Sequence, residues 1–310
     1  MTTAVSIDGV LVPAGEARIS VFDRGFLYGD SVYEVVRTYD LEPFEVRAHL
    51  ARLAASAERI FLPLPWSGDR VEREIRRVVE ASRGDGDDDD PAAPPWNQGE
   101  RSVRVVVTRG SGEMGLDPAL ATEPVVVILA IPLRGPPLAA YRDGVSAWPF
   151  GGPGAPPRGG DPGAKTGEHL FHVLAMREAR AHEGHEALLV DRAGCVTEGA
   201  SSNVFAVRGD VLETPPLQAG ILAGVTRACV IELALELGIQ VRERALPLAS
   251  LADADEAFLT STVREILPLV RVGSLPVGSG APGPVTNRLH AAFRYRAGGG
   301  HKPGKGPGPG

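Results

Sequence analysis

Lys165, within Gly163-Ala164-Lys165-Thr166-Gly167-Glu168-His169-Leu170, is nearly alone among the cations of this chain. The 310 residues include 32 Lys and Arg, and the other lysines are Lys302 and Lys305, both in a C-terminal run of glycine and proline. Arginine serves every other cationic position. It keeps its proton near neutral pH, whereas a lysine that sheds one can attack a carbonyl and hold it as a Schiff base. A composition heavy in Ala, Arg, Gly and Pro also depletes lysine by itself. Scarcity therefore raises the Schiff-base reading, and the neighbours must decide it.

A Schiff-base lysine that works with pyridoxal phosphate needs three partners: an acid for the ring nitrogen, a phosphate cradle and an anchor for the substrate carboxylate. Each has a candidate. Glu198 stands in Val196-Thr197-Glu198-Gly199-Ala200-Ser201-Ser202-Asn203, just past a predicted hairpin; taken singly it reads as a surface glutamate at a strand end. Gly224-Val225-Thr226 opens a predicted helix, whose first N–H groups and hydroxyl suit a phosphate. Thr260-Ser261-Thr262 ends a predicted strand with three hydroxyls. Arg52 lies on a predicted helix, and Arg104 sits among strand valines, where a cation needs an anionic partner.

The elements that must position these residues follow from hydrophobic period. Residues 4–12 read as two short strands about Asp8-Gly9, and residues 19–22 read as a further edge. Residues 23–30 are a glycine-punctuated loop leading into the β-rich run Ser31–Tyr39, whose Tyr33, Val35 and Arg37 share one face. Helical period marks 46–61 and 68–82, and strands follow at 103–109 and 125–131. In the second half, strands at 145–150, 187–190, 195–198, 203–207, 211–212, 239–244, 256–261 and 266–272 alternate with helices at 169–183, 225–237 and 284–296. The expectation is an α+β chain with a smaller domain at 1–134, a linker at 135–144, a larger domain at 145–296 and a structureless Gly/Pro tail at 297–310.

Composition excludes several classes. The net charge of −7 and the lack of a basic cluster argue against nucleic-acid binding. The longest apolar run, residues 125–133, is too short to span a bilayer, and no signal peptide is recognisable. Cys195 and Cys229 make neither a disulfide framework nor a metal-site spacing. Asp87-Asp88-Asp89-Asp90 reads as a solvated acidic loop within the insert 84–99 rather than a metal site. A cytoplasmic protein without a metal is expected.

The motifs also carry a resemblance. Lys165-Thr166-Gly167-Glu168-His169-Leu170, Glu186-Ala187-Leu188-Leu189, Val196-Thr197-Glu198-Gly199 and Ser202-Asn203-Val204-Phe205 resemble the class IV aminotransferases, the fold-type IV pyridoxal phosphate enzymes. Gly220-Ile221-Leu222, Gly224-Val225-Thr226-Arg227, Phe258-Leu259-Thr260-Ser261-Thr262 and, earlier, Val32-Tyr33-Glu34 and His49-Leu50-Ala51-Arg52-Leu53 agree, in the family's order, over about residues 5–296. The resemblance implies Lys165 as the Schiff-base lysine and Glu198 as the partner of the pyridine nitrogen. It implies Arg52, Val225, Thr226 and Thr262 around the phosphate, Leu222 against the ring, and Tyr28, Tyr33, Arg104 and Val263 at the substrate. It also implies a homodimer whose loop at 110–115 reaches the neighbour's site. One departure stands out: Glu168 and His169 occupy positions where the family usually has Asn followed by Tyr. The activity implied is transamination between a branched-chain L-amino acid and 2-oxoglutarate. A D-amino-acid transaminase, a lyase releasing pyruvate from aminodeoxychorismate, a cofactor-binding protein without catalysis and a cofactor-free Schiff-base aldolase are the alternatives.

Overall fold

The computed structural model describes residues 3–83, 90–154 and 163–298. The first half forms β1 (Ala4–Ile7), β2 (Val10–Val12), α1 (Arg24–Tyr28), β3 (Ser31–Tyr39), β4 (Glu42–Pro43), α2 (Val46–Arg59), α3 (Gly68–Ala81), β5 (Arg101–Thr108) and β6 (Val125–Pro132). Its six-stranded sheet runs in the order β2-β1-β6-β5-β3-β4. Alternation gives the sheet two faces. Val32 and Val36 of β3, with Val103 and Val105 of β5, are buried against Leu53 of α2 and Ile75 and Val78 of α3. Truncating Ile75 to alanine in such a core costs about 2–5 kcal/mol. The opposite face, carrying Tyr33, Val35 and Arg104, looks into a cavity.

The second half adds α4 (Leu138–Asp143), β7 (Val145–Gly151), α5 (Leu170–Ala181), β8 (Glu186–Val190), β9 (Cys195–Gly199), β10 (Asn203–Arg208), β11 (Val211–Thr214), α6 (Val225–Glu236), β12 (Gln240–Glu243), β13 (Leu246–Pro247), α7 (Leu248–Ala252), β14 (Glu256–Ser261), β15 (Glu265–Val272), β16 (Leu275–Pro276) and α8 (Pro284–Arg296). Its strands form one ten-stranded sheet, β12-β11-β10-β14-β15-β7-β8-β9-β13, with β16 on β15. Helices α6 and α8 cover one region of it over Phe205, Phe258, Leu233 and Phe293. The two phenyl rings of β10 and β14 stack at 4.9 Å.

Four expectations change. Residues 19–22 do not form a strand; Ser20 holds a turn instead, its carbonyl accepting from Asp23 N at 3.0 Å and its hydroxyl from Phe22 N at 3.1 Å. The loop at 23–30 contains a short helix, α1, because Asp23 Oδ1 caps it by accepting from Gly25 N at 2.8 Å. The segment at 135–144 holds α4, whose Ala140 and Tyr141 are buried in the second sheet's core. At the C-terminal end Ala297 is still buried against α6 and α8. Residues 299–310 and 87–89 lie outside the described residues.

Candidate active site

Lys165 sits where the two sheets meet. Beyond its pairing with β5, β3 has a second edge, and the segment around Lys165 covers it. Tyr33 N donates to Lys165 O at 3.0 Å, Gly167 N donates to Ser31 O at 2.9 Å, and Thr166 bridges to Val32. Lys165 N donates to Ser56 Oγ of α2 at 3.0 Å. Gly167 makes the approach possible: a Cβ there would lie 2.2 Å from Ser31 Oγ. The lysine of the second half is thus fastened to the strand of the first.

Its side chain enters a cavity of about 860 Å³. Lys165 Nζ donates to the Tyr33 hydroxyl at 3.1 Å. The Tyr33 ring lies under the Arg104 guanidinium at 4.2 Å and takes the His169 ring edge-on at 4.9 Å. Arg104 stands opposite Val35 in the β3–β5 register, so strand pairing itself places both in the cavity. Among the described residues no carboxylate pairs with Arg104; its guanidinium lies over the Tyr33 ring instead. Burial, then Arg104 and Lys165, push the His169 imidazole down, so its ring is neutral near pH 7. Its Nε2 is buried and has no hydrogen-bond partner among the described residues.

On the cavity's other side stands Glu198, 4% exposed, whose Oε2 accepts from Leu222 N at 3.0 Å. β9 ends here, and the backbone beyond Leu222 turns into α6. No side chain caps the N-terminus of α6, so the first N–H groups of a twelve-residue helix, with the Thr226 hydroxyl, are left for the cavity. Thr260 Oγ1, also in the lining, is buried without a hydrogen-bond partner among the described residues. The lining carries Arg52, Arg104, Arg134, Lys165, Arg180 and Arg264 against the carboxylates Glu168 and Glu198. In a chain of net charge −7, that concentration of cations selects for an anionic ligand.

Arg52 reaches this wall from α2. Its Nε and Nη2 donate to the two oxygens of Glu34, at 2.6 and 2.7 Å, and Nη1 donates to Ala223 O at 2.9 Å, beside the α6 N-terminus. Glu34 is fully buried on the core face of β3 and also accepts from His49 Nδ1 at 2.8 Å. Burial works to raise its pKa, but the hydrogen bonds from Arg52 and His49 outweigh it and hold Glu34 at about 2. Burial pushes His49 down, which keeps it a neutral donor. A buried carboxylate thus fixes the guanidinium in a bidentate fork.

The structure brings together Lys165, Arg52, Glu198, Leu222, Val225, Thr226, Thr262, Tyr33, Arg104 and Val263, all in one lining. It does not bring Tyr28 there. Tyr28 ends α1 and turns to the loop after β5, where its hydroxyl accepts from Gly115 N at 3.2 Å. Arg37 leaves the cavity face too, for a buried pair with Glu265 at 3.0 Å. Sequence reasoning missed Glu34 and His49 as supports of Arg52. The signal was available: Glu34 shares its strand face with Val32 and Val36, both fully buried. It also missed the stretch at 134–137 and the pair of Arg264 with Glu186, which nothing local in the sequence marks.

Comparison with known proteins decides the family. Residues 31–272 match the family model for amino-transferase class IV. The chain belongs to the class IV aminotransferases. A putative branched-chain-amino-acid aminotransferase of Methanocaldococcus jannaschii is 36% identical over 290 residues, 94% of this chain and 95% of the relative. A D-alanine aminotransferase of Bacillus licheniformis is 32% identical over 291 residues, 94% of this chain and 95% of that one. The solved structure of the T.th. branched-chain amino acid aminotransferase with pyridoxamine 5'-phosphate superposes with a TM-score of 0.83 and 28% identity, covering 96% of this chain and 94% of that one. The architecture is therefore fold type IV, and the protein is a pyridoxal phosphate-dependent aminotransferase. The donor set of this class IV aminotransferase fits that cofactor: an uncapped helix N-terminus and Arg52 for a phosphate, a buried carboxylate for a ring nitrogen, and an amine for a carbonyl. Among the described residues no group of His, Cys, Asp and Glu is arranged to hold a metal, and no helix is long and apolar enough to cross a membrane.

Proposed function

We propose that this enzyme transfers amino groups between branched-chain L-amino acids and 2-oxoglutarate, as a cytoplasmic homodimer holding pyridoxal 5'-phosphate. The observation that carries the reading is the convergence of Lys165, Glu198, Arg52 and the α6 N-terminus on one cavity whose substrate side is Tyr33, Val35, Arg104 and Val263. The relative named a putative branched-chain-amino-acid aminotransferase supports the substrate class.

When bound, the cofactor supplies a carbonyl for the amine and a ring that takes up the electrons of the broken Cα–H bond. Glu198 is assigned to keep the ring nitrogen protonated, with Leu222 N fixing the carboxylate. Val225 N, the Thr226 and Thr262 hydroxyls and Arg52 are assigned to the phosphate, with Leu222 against the ring. Lys165 Nζ would hold that carbonyl and, as a free amine, would carry the Cα proton; the Tyr33 hydroxyl, which accepts from Nζ, orients it. Arg104, with no carboxylate partner among the described residues, anchors the substrate carboxylate. Val35 and Val263 supply apolar contact for a branched side chain.

The dimer is supported by the apolar side chains left exposed on and beside α1, Phe22, Phe26, Met114 and Leu116. Tyr28 faces this loop rather than its own cavity, so the substrate role proposed for it belongs in the partner's site. We also propose the division into domains 1–134 and 145–296, each built around its own sheet.

The test is a substrate panel on the cofactor-loaded enzyme: L-leucine, L-valine, D-alanine and aminodeoxychorismate, with and without 2-oxoglutarate. L-leucine and L-valine should turn over only with the oxo acid. Turnover of D-alanine in their place, or pyruvate release from aminodeoxychorismate without an acceptor, contradicts the proposal.

A further inference from the structure

The turn between β14 and β15 is where the substrate side of the cavity is held in place. Ser261 pairs with Glu265, and the three residues between them, Thr262, Val263 and Arg264, all line the cavity. A three-residue connection has little internal hydrogen bonding to fix it, so its carbonyls need partners from elsewhere. The Tyr141 hydroxyl of α4 donates to Arg264 O at 3.0 Å, and Arg37 Nη1 of β3 lies 3.5 Å from Val263 O. Neither Tyr141 nor Arg37 lines the cavity.

Both donors are themselves locked. Tyr141 stacks on His290 at 5.3 Å and meets the edge of Trp96 at 5.5 Å. Burial pushes its phenol up, so it remains a donor at any working pH. Arg37 is 1% exposed and spends its guanidinium on Glu265, Trp96 O and Asn97 Oδ1. Glu265 is fully buried, and its carboxylate also takes Tyr39, His290 and Arg294. Its backbone stands at φ +56°, a left-handed conformation that costs a non-glycine residue about 1 kcal/mol or more and persists only where the surroundings impose it. The chain before α4 passes close by: a Cβ at Gly135 would lie 2.7 Å from Asn97 Nδ2 and in ordinary van der Waals contact with Val263 O, at 3.5 Å.

The same strand serves both ends. β3 puts Tyr33 and Val35 in the cavity and Arg37, the next residue on that face, into the Glu265 cluster. We infer that Tyr141 and Arg37 are positioning residues for the substrate: they clamp the 262–264 turn from behind and tie it to the wall formed by Tyr33 and Val35. The segment joining the two sheets is thus part of the substrate site's support, not only a tether. This rests on the proposed use of Val263 and Thr262. The cofactor's other assigned contacts, at α6, Arg52 and Glu198, come from elements the clamp does not touch.

Removing Arg37 would strand a buried carboxylate and endanger the fold, so Tyr141→Phe is the decisive variant: it keeps the ring stack and deletes only the bond to Arg264 O. Two readouts are taken on the cofactor-loaded enzyme. Hydrogen–deuterium exchange should quicken in peptides covering 261–265 and stay unchanged at 224–230. KM for the amino donor and the oxo acid should rise about fivefold, the equivalent of one hydrogen bond, with kcat within about twofold; cofactor affinity should fall by no more than about twofold, because Thr262 is only one of the contacts assigned to the phosphate. Unchanged exchange at 261–265 overturns the inference whatever the kinetics. So does faster exchange with unaltered KM, or a loss of cofactor affinity as large as the rise in KM, which would mark a general structural role. A wild-type enzyme active on a different amino acid in the panel corrects the substrate assignment; KM is then read with that amino acid and the clamp is judged by the same outcomes.

Discussion

Glu34 carries a full charge with no exposed surface because Arg52 and His49 both spend a donor on it. Its folded pKa of about 2 lies below its ordinary 4.5, so the linkage has one sign. The contribution is fully present above about pH 4.5 and is lost as pH falls toward 2, on the order of 3 kcal/mol in all. Unfolding measured from pH 6 to pH 3 should therefore lose stability more steeply in wild type than in Glu34→Gln; equal slopes would contradict the assignment. Glu198 makes a functional prediction at the same scale. Glu198→Gln should bind cofactor but lose turnover by about 100-fold or more, roughly 3 kcal/mol of barrier; unaltered kcat in a cofactor-saturated assay would remove Glu198 from the ring nitrogen. Individual residues were legible where chemistry limits the choice, as with Lys165 among arginines. Tyr28 was not, because its identity says nothing about which way α1 turns it.

At the scale of elements, β3 does most to build the site. Alternation was readable in Ser31–Tyr39, and it correctly grouped Val32, Glu34 and Val36 against Tyr33, Val35 and Arg37. That Arg37 would leave the cavity for Glu265 depends on a partner 228 residues away in the chain. No local pattern carries that information. The same holds for residues 19–22, where β-propensity had no neighbouring strand to pair with and Ser20 made a turn. The attachment of the Lys165 segment to β3 gives a prediction for the element. Gly167→Ala drives a methyl group against the buried Ser31 Oγ, so Ser31 must turn aside or the strand bridge must open. We expect Tm to fall by several degrees and turnover to drop at least tenfold, about 1.4 kcal/mol of barrier, because the lysine backbone loses its register. A variant with wild-type Tm and turnover would show that the close approach does not position Lys165.

Across the whole molecule, two sheets meet at one cavity, and each supplies what the other lacks. The first brings Arg52, Tyr33 and Arg104; the second brings Lys165, Glu198, the α6 N-terminus and the 262–264 turn. The α+β class and the order of elements were legible because long periodic segments dominate them, and the family motifs appear in order along the chain. The convergence itself was not, since it is a property of how the sheets dock. The central claim, that this cavity holds pyridoxal phosphate on Lys165, has a direct test because the chain offers so few amines. The enzyme is loaded with pyridoxal 5'-phosphate, reduced with borohydride and digested for peptide mass mapping, with Lys165, Lys302, Lys305 and the N-terminus as the possible sites. The account predicts a single phosphopyridoxyl group on the peptide containing Lys165. A label on Lys302, Lys305 or the N-terminus with Lys165 unmodified, or no label at all, would contradict it.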